Sequence, residues 1–174
     1  SRMSDGLVRP EDWDDPVQLP DVGTVRRVLV PFDGSHHAER ALAWAALAAA
    51  AAEAEVVVMV AYEPPLTKKG RGGTYVEAIR DALDDEAKAL AAEAVELLSA
   101  AGCRARGVVI RGEAAAATLE TVETDDCDLV VLGRRGLSSE LAGIAGTLER
   151  FRSSLQGGVA EKVARHADVA VMVV

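Results

Sequence analysis

Apolar positions along this chain fall into two patterns. Residues 27–32, 55–62, 103–110, 128–132 and 169–174 are short, mostly apolar runs rich in Val, Leu and Ile, and they read as strands. The 55–62 run is apolar almost throughout, so both of its faces must be covered, which argues for a parallel sheet. Other segments carry apolar residues at helical spacing. Val76, Ile79, Leu83, Leu90, Val95 and Leu98 mark a helix over about 74–101 that Gly102 is suited to stop. Ser35 is a plausible N-cap for a helix over 36–52. Gly112-Glu113 leads into a helix over 114–124, and Gly157-Gly158-Val159 opens one that starts at Gly158 and ends near His166.

The repeated strand–helix alternation predicts an α/β domain over 25–174. Its expected form is a doubly wound five-stranded parallel sheet of order 3-2-1-4-5 with helices on both faces. Leu137, Leu141, Ile144, Leu148 and Phe151 recur at steps of four, three, four and three, which predicts an inserted amphipathic helix at about 137–155. It is expected as a lid or an interface rather than core, because the domain is complete without it. Residues 1–24, with Pro10, Pro16, Pro20, Gly6 and Gly23 among acidic residues, predict an irregular or disordered leader in which Trp13 is suited to docking. Residues 64–73, with Lys68, Lys69 and Arg71, predict a mobile basic loop.

Composition narrows the function classes. The formal charge is −9, from 19 Lys and Arg against 28 Asp and Glu, which repels a polyanion and disfavours nucleic-acid binding. Cys103 and Cys127 have no short CxxC spacing, so neither a disulfide framework nor a zinc site is expected, and a reduced cytosol fits best. No apolar run approaches bilayer length and no signal-peptide pattern is present, so no membrane role is expected. Alanine is concentrated in 41–54 and 87–94, which favours closely packed helices over an aromatic core.

In sheets of this class ligands bind beyond the strand C-termini, between neighbouring strands whose helices go to opposite faces. Strands one and four are those neighbours here, so the Pro31-Phe32-Asp33 turn and the loop from Gly133 to Gly136 should share one crevice. Asp33 is suited either to accept hydrogen bonds from a ribose hydroxyl pair or to form an Asx turn. Arg134 and Arg135 could pair with phosphate oxygens or stand solvated on a turn. The turn at Gly157, Gly158 and Val159 offers unpaired helix N-terminal amides to an anion. His36 and His37 read as a solvated helix start, and Asp125, Asp126 and Asp128 as a solvated turn at the far end of the sheet rather than a metal site. Glu161, Lys162 and His166 read as exposed helix surface. No Ser/His/Asp arrangement or nucleophile elbow is present, so at most slow hydrolysis is expected.

Three segments together resemble the universal stress protein family. They are Val28-Leu29-Val30-Pro31-Phe32-Asp33-Gly34-Ser35, the run from Asp128 through Gly133-Arg134-Arg135-Gly136, and the run from Gly157 to Val174. The resemblance covers about 25–174. It implies a five-stranded parallel fold, a cytoplasmic location, a homodimer through the last strand and, in one subgroup, ATP binding by a loop reading Gly-x2-Gly-x9-Gly-Ser/Thr. Carried over, Asp33 would bind ribose, Pro31, Ala61 and Leu132 would line the adenine pocket, and Gly133 and Gly136 would approach the phosphates. The closing Gly-Ser/Thr has two candidates. Gly146-Thr147 satisfies the family spacing, whereas Gly157-Gly158 aligns directly before Val-Ala-Glu-Lys-Val and lacks the hydroxyl. The amphipathic stripe places Gly146 and Thr147 inside a helix whose amides are already bonded, so Gly157 and Gly158 are preferred.

Two functions follow from this reading. One is a stress-response regulator that binds ATP or another adenine nucleotide, with or without magnesium. The other is a dimeric regulatory module, acting through an unknown protein partner, in which the inserted helix has cost the crevice its nucleotide. An ATP-pyrophosphatase-like enzyme is disfavoured because 31–35 lacks the paired glycines of the Ser-Gly-Gly-x-Asp-Ser loop.

Overall fold

The structure, a computed structural model, describes residues 25–64, 73–134 and 158–174. The leader with Trp13, the basic loop with Lys68, Lys69 and Arg71, the inserted helix, and Arg135, Gly136, Gly146, Thr147 and Gly157 lie outside the described residues. Nine elements are described in strict alternation: β1 Arg27–Pro31, α1 His36–Ala52, β2 Glu55–Tyr62, α2 Gly73–Ala100, β3 Arg104–Arg111, α3 Ala114–Thr124, β4 Leu129–Leu132, α4 Val159–His166 and β5 Ala170–Val173. The five strands pair in parallel in the order β3-β2-β1-β4-β5, as the alternation predicts.

Period-two side-chain alternation divides the apolar strands between two cores. Val28, Val30, Val56, Val58, Val60 and Val131 face α1 and α2. Leu29, Val57, Met59, Val130 and Leu132 face α3 and α4. Small side chains set the helix distances. Ala38, Ala41, Ala45 and Ala49 form the buried stripe of α1. A Cβ on Gly107 of β3 would meet the Ala91 Cβ at 3.2 Å, so α2 lies almost directly on that strand. Ser35 caps α1, its hydroxyl accepting the Ala38 N–H at 3.2 Å. Beyond α2 the chain reverses at Gly102, whose φ of +82° suits only glycine without strain.

The end of the sheet away from the β-strand C-termini differs from its sequence reading. Asp126 is solvated as expected, with a side chain 77% exposed, but Asp125 and Asp128 are built into the fold. Asp128 Oδ2 accepts the Arg26 N–H at 2.7 Å and the Arg27 N–H at 3.1 Å, tying the start of β4 to the start of β1. Asp125 Oδ2 takes the Arg106 guanidinium at 2.6 Å, while Glu55 lies 3.5 Å from Arg27 and 3.6 Å from Arg106. Parallel pairing brings all the strand N-termini to one edge, where these opposite charges from distant segments meet.

Both cysteines are free thiols. Burial pushes the Cys127 thiol up to about 11, so it stays protonated at neutral pH and acts as a small apolar core residue. Among the described residues no helix is long and apolar enough to cross a membrane.

Candidate functional site

The C-terminal ends of β1, β2 and β4 and the N-termini of α1, α3 and α4 enclose a crevice holding about 500 Å3 of space, part of it open to solvent. Pro31, Asp33, Ala61, Leu132, Gly133 and Val159 all line it, so six of the residues singled out in the sequence share one cavity. Chain connectivity places them there. Parallel strands all end on the same side, and β1 and β4 are neighbours with α1 and α4 on opposite faces. Phe32, of the turn expected there, lines it too, and the wall also includes Ser35, Ala38, Met59, Ala114 and Ala160, which sequence reasoning did not nominate. Ser35 and Ala38 belong to the capped first turn of α1, so the cap signal could have found them. Nothing local in the sequence marks Met59 or Ala114.

Asp33 forms the Asx turn, its Oδ1 accepting the Ser35 N–H at 2.9 Å. That bond holds the carboxylate at the crevice wall and fixes the entry into α1. The ladder of β1 runs one residue past Pro31, through a Phe32 N–H donated to the Met59 carbonyl at 2.8 Å. Gly133 has a clear packing reason to be glycine. A Cβ there would lie 2.6 Å from the His37 carbonyl oxygen and 2.8 Å from its carbon. The end of β4 thus rests against the backbone of α1.

The same contact corrects the reading of His37 as solvated. Its Nδ1 is buried and has no hydrogen-bond partner among the described residues. His36 is exposed as expected, with Nδ1 3.3 Å from the Glu39 carboxylate. Arg134 is exposed and is not among the lining residues. Its backbone N–H donates to the Val174 carbonyl at 2.6 Å, fastening the chain end beside β4.

Gly158 is the N-cap of α4 and contributes no side-chain hydrogen bond to the first turn. The amides of Val159, Ala160 and Glu161 have no carbonyl four residues earlier within the helix, so the positive end of α4 is presented where Val159 and Ala160 line the crevice. Next to the lining residue Ala114, Glu113 caps α3 by accepting the Ala116 N–H at 2.9 Å, and Lys162 of α4 reaches its other oxygen at 3.2 Å; neither is itself among the lining residues. Burial pushes the Glu113 carboxyl up, but the Ala116 N–H and the Lys162 ammonium outweigh it and leave the group below the usual carboxylate range. Lys162 is exposed as the sequence suggests, yet it is paired across 49 residues of chain. His166 Nδ1 lies 2.9 Å from the Lys162 carbonyl at the end of α4. Among the described residues no three His, Cys, Asp or Glu side chains gather as a metal site.

Residues 24–174 match the model of the universal stress protein family. The chain belongs to that family. A universal stress protein of Thermus aquaticus, described by its position in the QAH/OAS sulfhydrylase 3' region, is 32% identical over 149 residues, or 86% of this chain and 98% of that one. A solved universal stress protein described as in complex with cAMP is 27% identical, covers 86% of this chain and 96% of its own, and superimposes with a TM-score of 0.61. The universal stress protein UspA from Lactobacillus plantarum shares the fold at 18% identity, with a TM-score of 0.69 over 86% of this chain and 97% of its own.

Proposed function

We propose that the crevice binds an adenine nucleotide and that the protein acts as a cytoplasmic stress-response regulator through that binding. The observation that carries this reading is the pairing of an apolar slot with a helix N-terminus in one cavity. Pro31, Ala61 and Leu132 suit the faces of a purine, Asp33 suits ribose hydroxyls, and the first turn of α4 beside Gly133 suits phosphate. The 27%-identical relative described as in complex with cAMP supports the same ligand class. A magnesium ion accompanying ATP would be held chiefly by the phosphates, as is usual for this ion. The reading assigns binding, with hydrolysis at most slow.

Calorimetric titration of the protein with ATP, with and without magnesium, tests the proposal. Saturable binding near one nucleotide per chain is expected, and no saturation up to millimolar ATP overturns it. We further propose a homodimer through β5, whose outer edge has no neighbouring strand in the described sheet and whose Val173 is 46% exposed. Sedimentation equilibrium should then give twice the chain mass, and a monomer at all concentrations excludes it.

A further inference from the structure

The N-termini of α3 and α4 meet at the crevice, where Ala114 is the first residue of one helix and Val159 the first of the other. Lys162 lies in the first turns of α4, and its stem folds back over the cap. A Cβ on Gly158 would meet Lys162 Cε at 3.5 Å and Cδ at 3.9 Å. The ammonium is therefore drawn toward the positive end of its own helix, which repels a cation. What holds it there is Glu113 Oε1, at 3.2 Å. Glu113 does not depend on Lys162 for its own position, because its second oxygen accepts the Ala116 N–H and its charge suits the start of α3. The lysine side chain is still 59% exposed, so its ammonium remains open to further partners.

We propose that Glu113 and Lys162 set the response of this crevice to phosphate charge. Lys162 is a phosphate-contacting cation held ready one turn beyond the lining residues Val159 and Ala160, and Glu113 is the counter-charge that a bound phosphate must displace. One ammonium and two helix N-termini then face a single carboxylate, an arrangement that accepts the first phosphate. Each added phosphate brings more negative charge toward Glu113 and gains less. The inference rests on the nucleotide reading above and deepens it, assigning to this pair the choice between nucleoside, monophosphate and triphosphate.

Two conservative variants separate charge from structure. Lys162→Met keeps an apolar stem over Gly158, and Glu113→Gln keeps an acceptor for the Ala116 N–H. Dissociation constants for adenosine, AMP and ATP, measured at one fixed ionic strength on wild type and both variants, give the test. Adenosine affinity is expected to be unchanged throughout. Lys162→Met should weaken AMP and ATP by about threefold to tenfold, the size of one solvent-accessible charge contact. Glu113→Gln should tighten ATP by a larger factor than AMP. If both variants shift adenosine as much as the nucleotides, or leave all three unchanged, the pair plays no part in phosphate selection and this inference alone fails. A wild-type protein that binds none of the three overturns the nucleotide reading together with it.

Discussion

Gly133→Val lowers stability and closes the crevice. The added Cβ would lie 2.6 Å from the His37 carbonyl oxygen and 2.9 Å from the His37 Cβ, and the nearest atoms are backbone that cannot swing aside. The first turn of α1 has little freedom to retreat. The Ser35 cap and the Asp33–Ser35 bond pin it, and its buried alanines rest on the sheet. Either β4 or α1 must shift, at a cost of about 1–3 kcal/mol for overpacking of this kind. The same shift distorts the wall formed by Asp33, Leu132 and Val159, so nucleotide affinity should fall with stability. Urea denaturation should show a lower midpoint at unchanged slope, and ATP titration of the folded variant should show lost binding. A variant with wild-type midpoint and affinity would mean that β4 and α1 do not meet as described.

Asp128→Ala should separate the two ends of the sheet. Its carboxylate oxygen serves two amides at the entry to β1, Arg26 at 2.7 Å and Arg27 at 3.1 Å, and alanine leaves both without that acceptor. Water reaches the Arg26 amide more easily than the Arg27 amide, so the expected loss is about 1–3 kcal/mol rather than the sum of two buried penalties. Nucleotide affinity should be unaffected, since Asp128 lies at the opposite end of β4 from Leu132 and the crevice. Denaturation and titration on one preparation check both parts. A variant that loses affinity while keeping its stability would contradict this division of labour.

The fold was legible because parallel sheets buried on both faces leave continuous apolar runs between helices. Each strand begins and ends within one residue of its sequence reading. Ser35 and Gly102 announced helix ends because caps are local chemistry. The crevice was legible through topology, since the order of strands one and four decides which turns converge. Long-range charge pairing was not legible. Asp128 bonds amides some hundred residues earlier, and Glu113 meets Lys162 across 49 residues, so neither pair leaves a local pattern. The burial of the His37 Nδ1 was hidden for a related reason, because no local pattern announces that the end of β4 comes to rest against this turn of α1.

Amide chemical-shift mapping of the isotopically labelled protein during titration with ATP tests directly whether nucleotide occupies the switch-point crevice. Shifts that saturate and cluster at Asp33, Ala61, Leu132, Gly133, Val159 and Ala160 are the predicted result. Saturating shifts centred on Arg27, Arg106 and Asp125 at the far edge, or no saturating shifts at millimolar ATP, would contradict it.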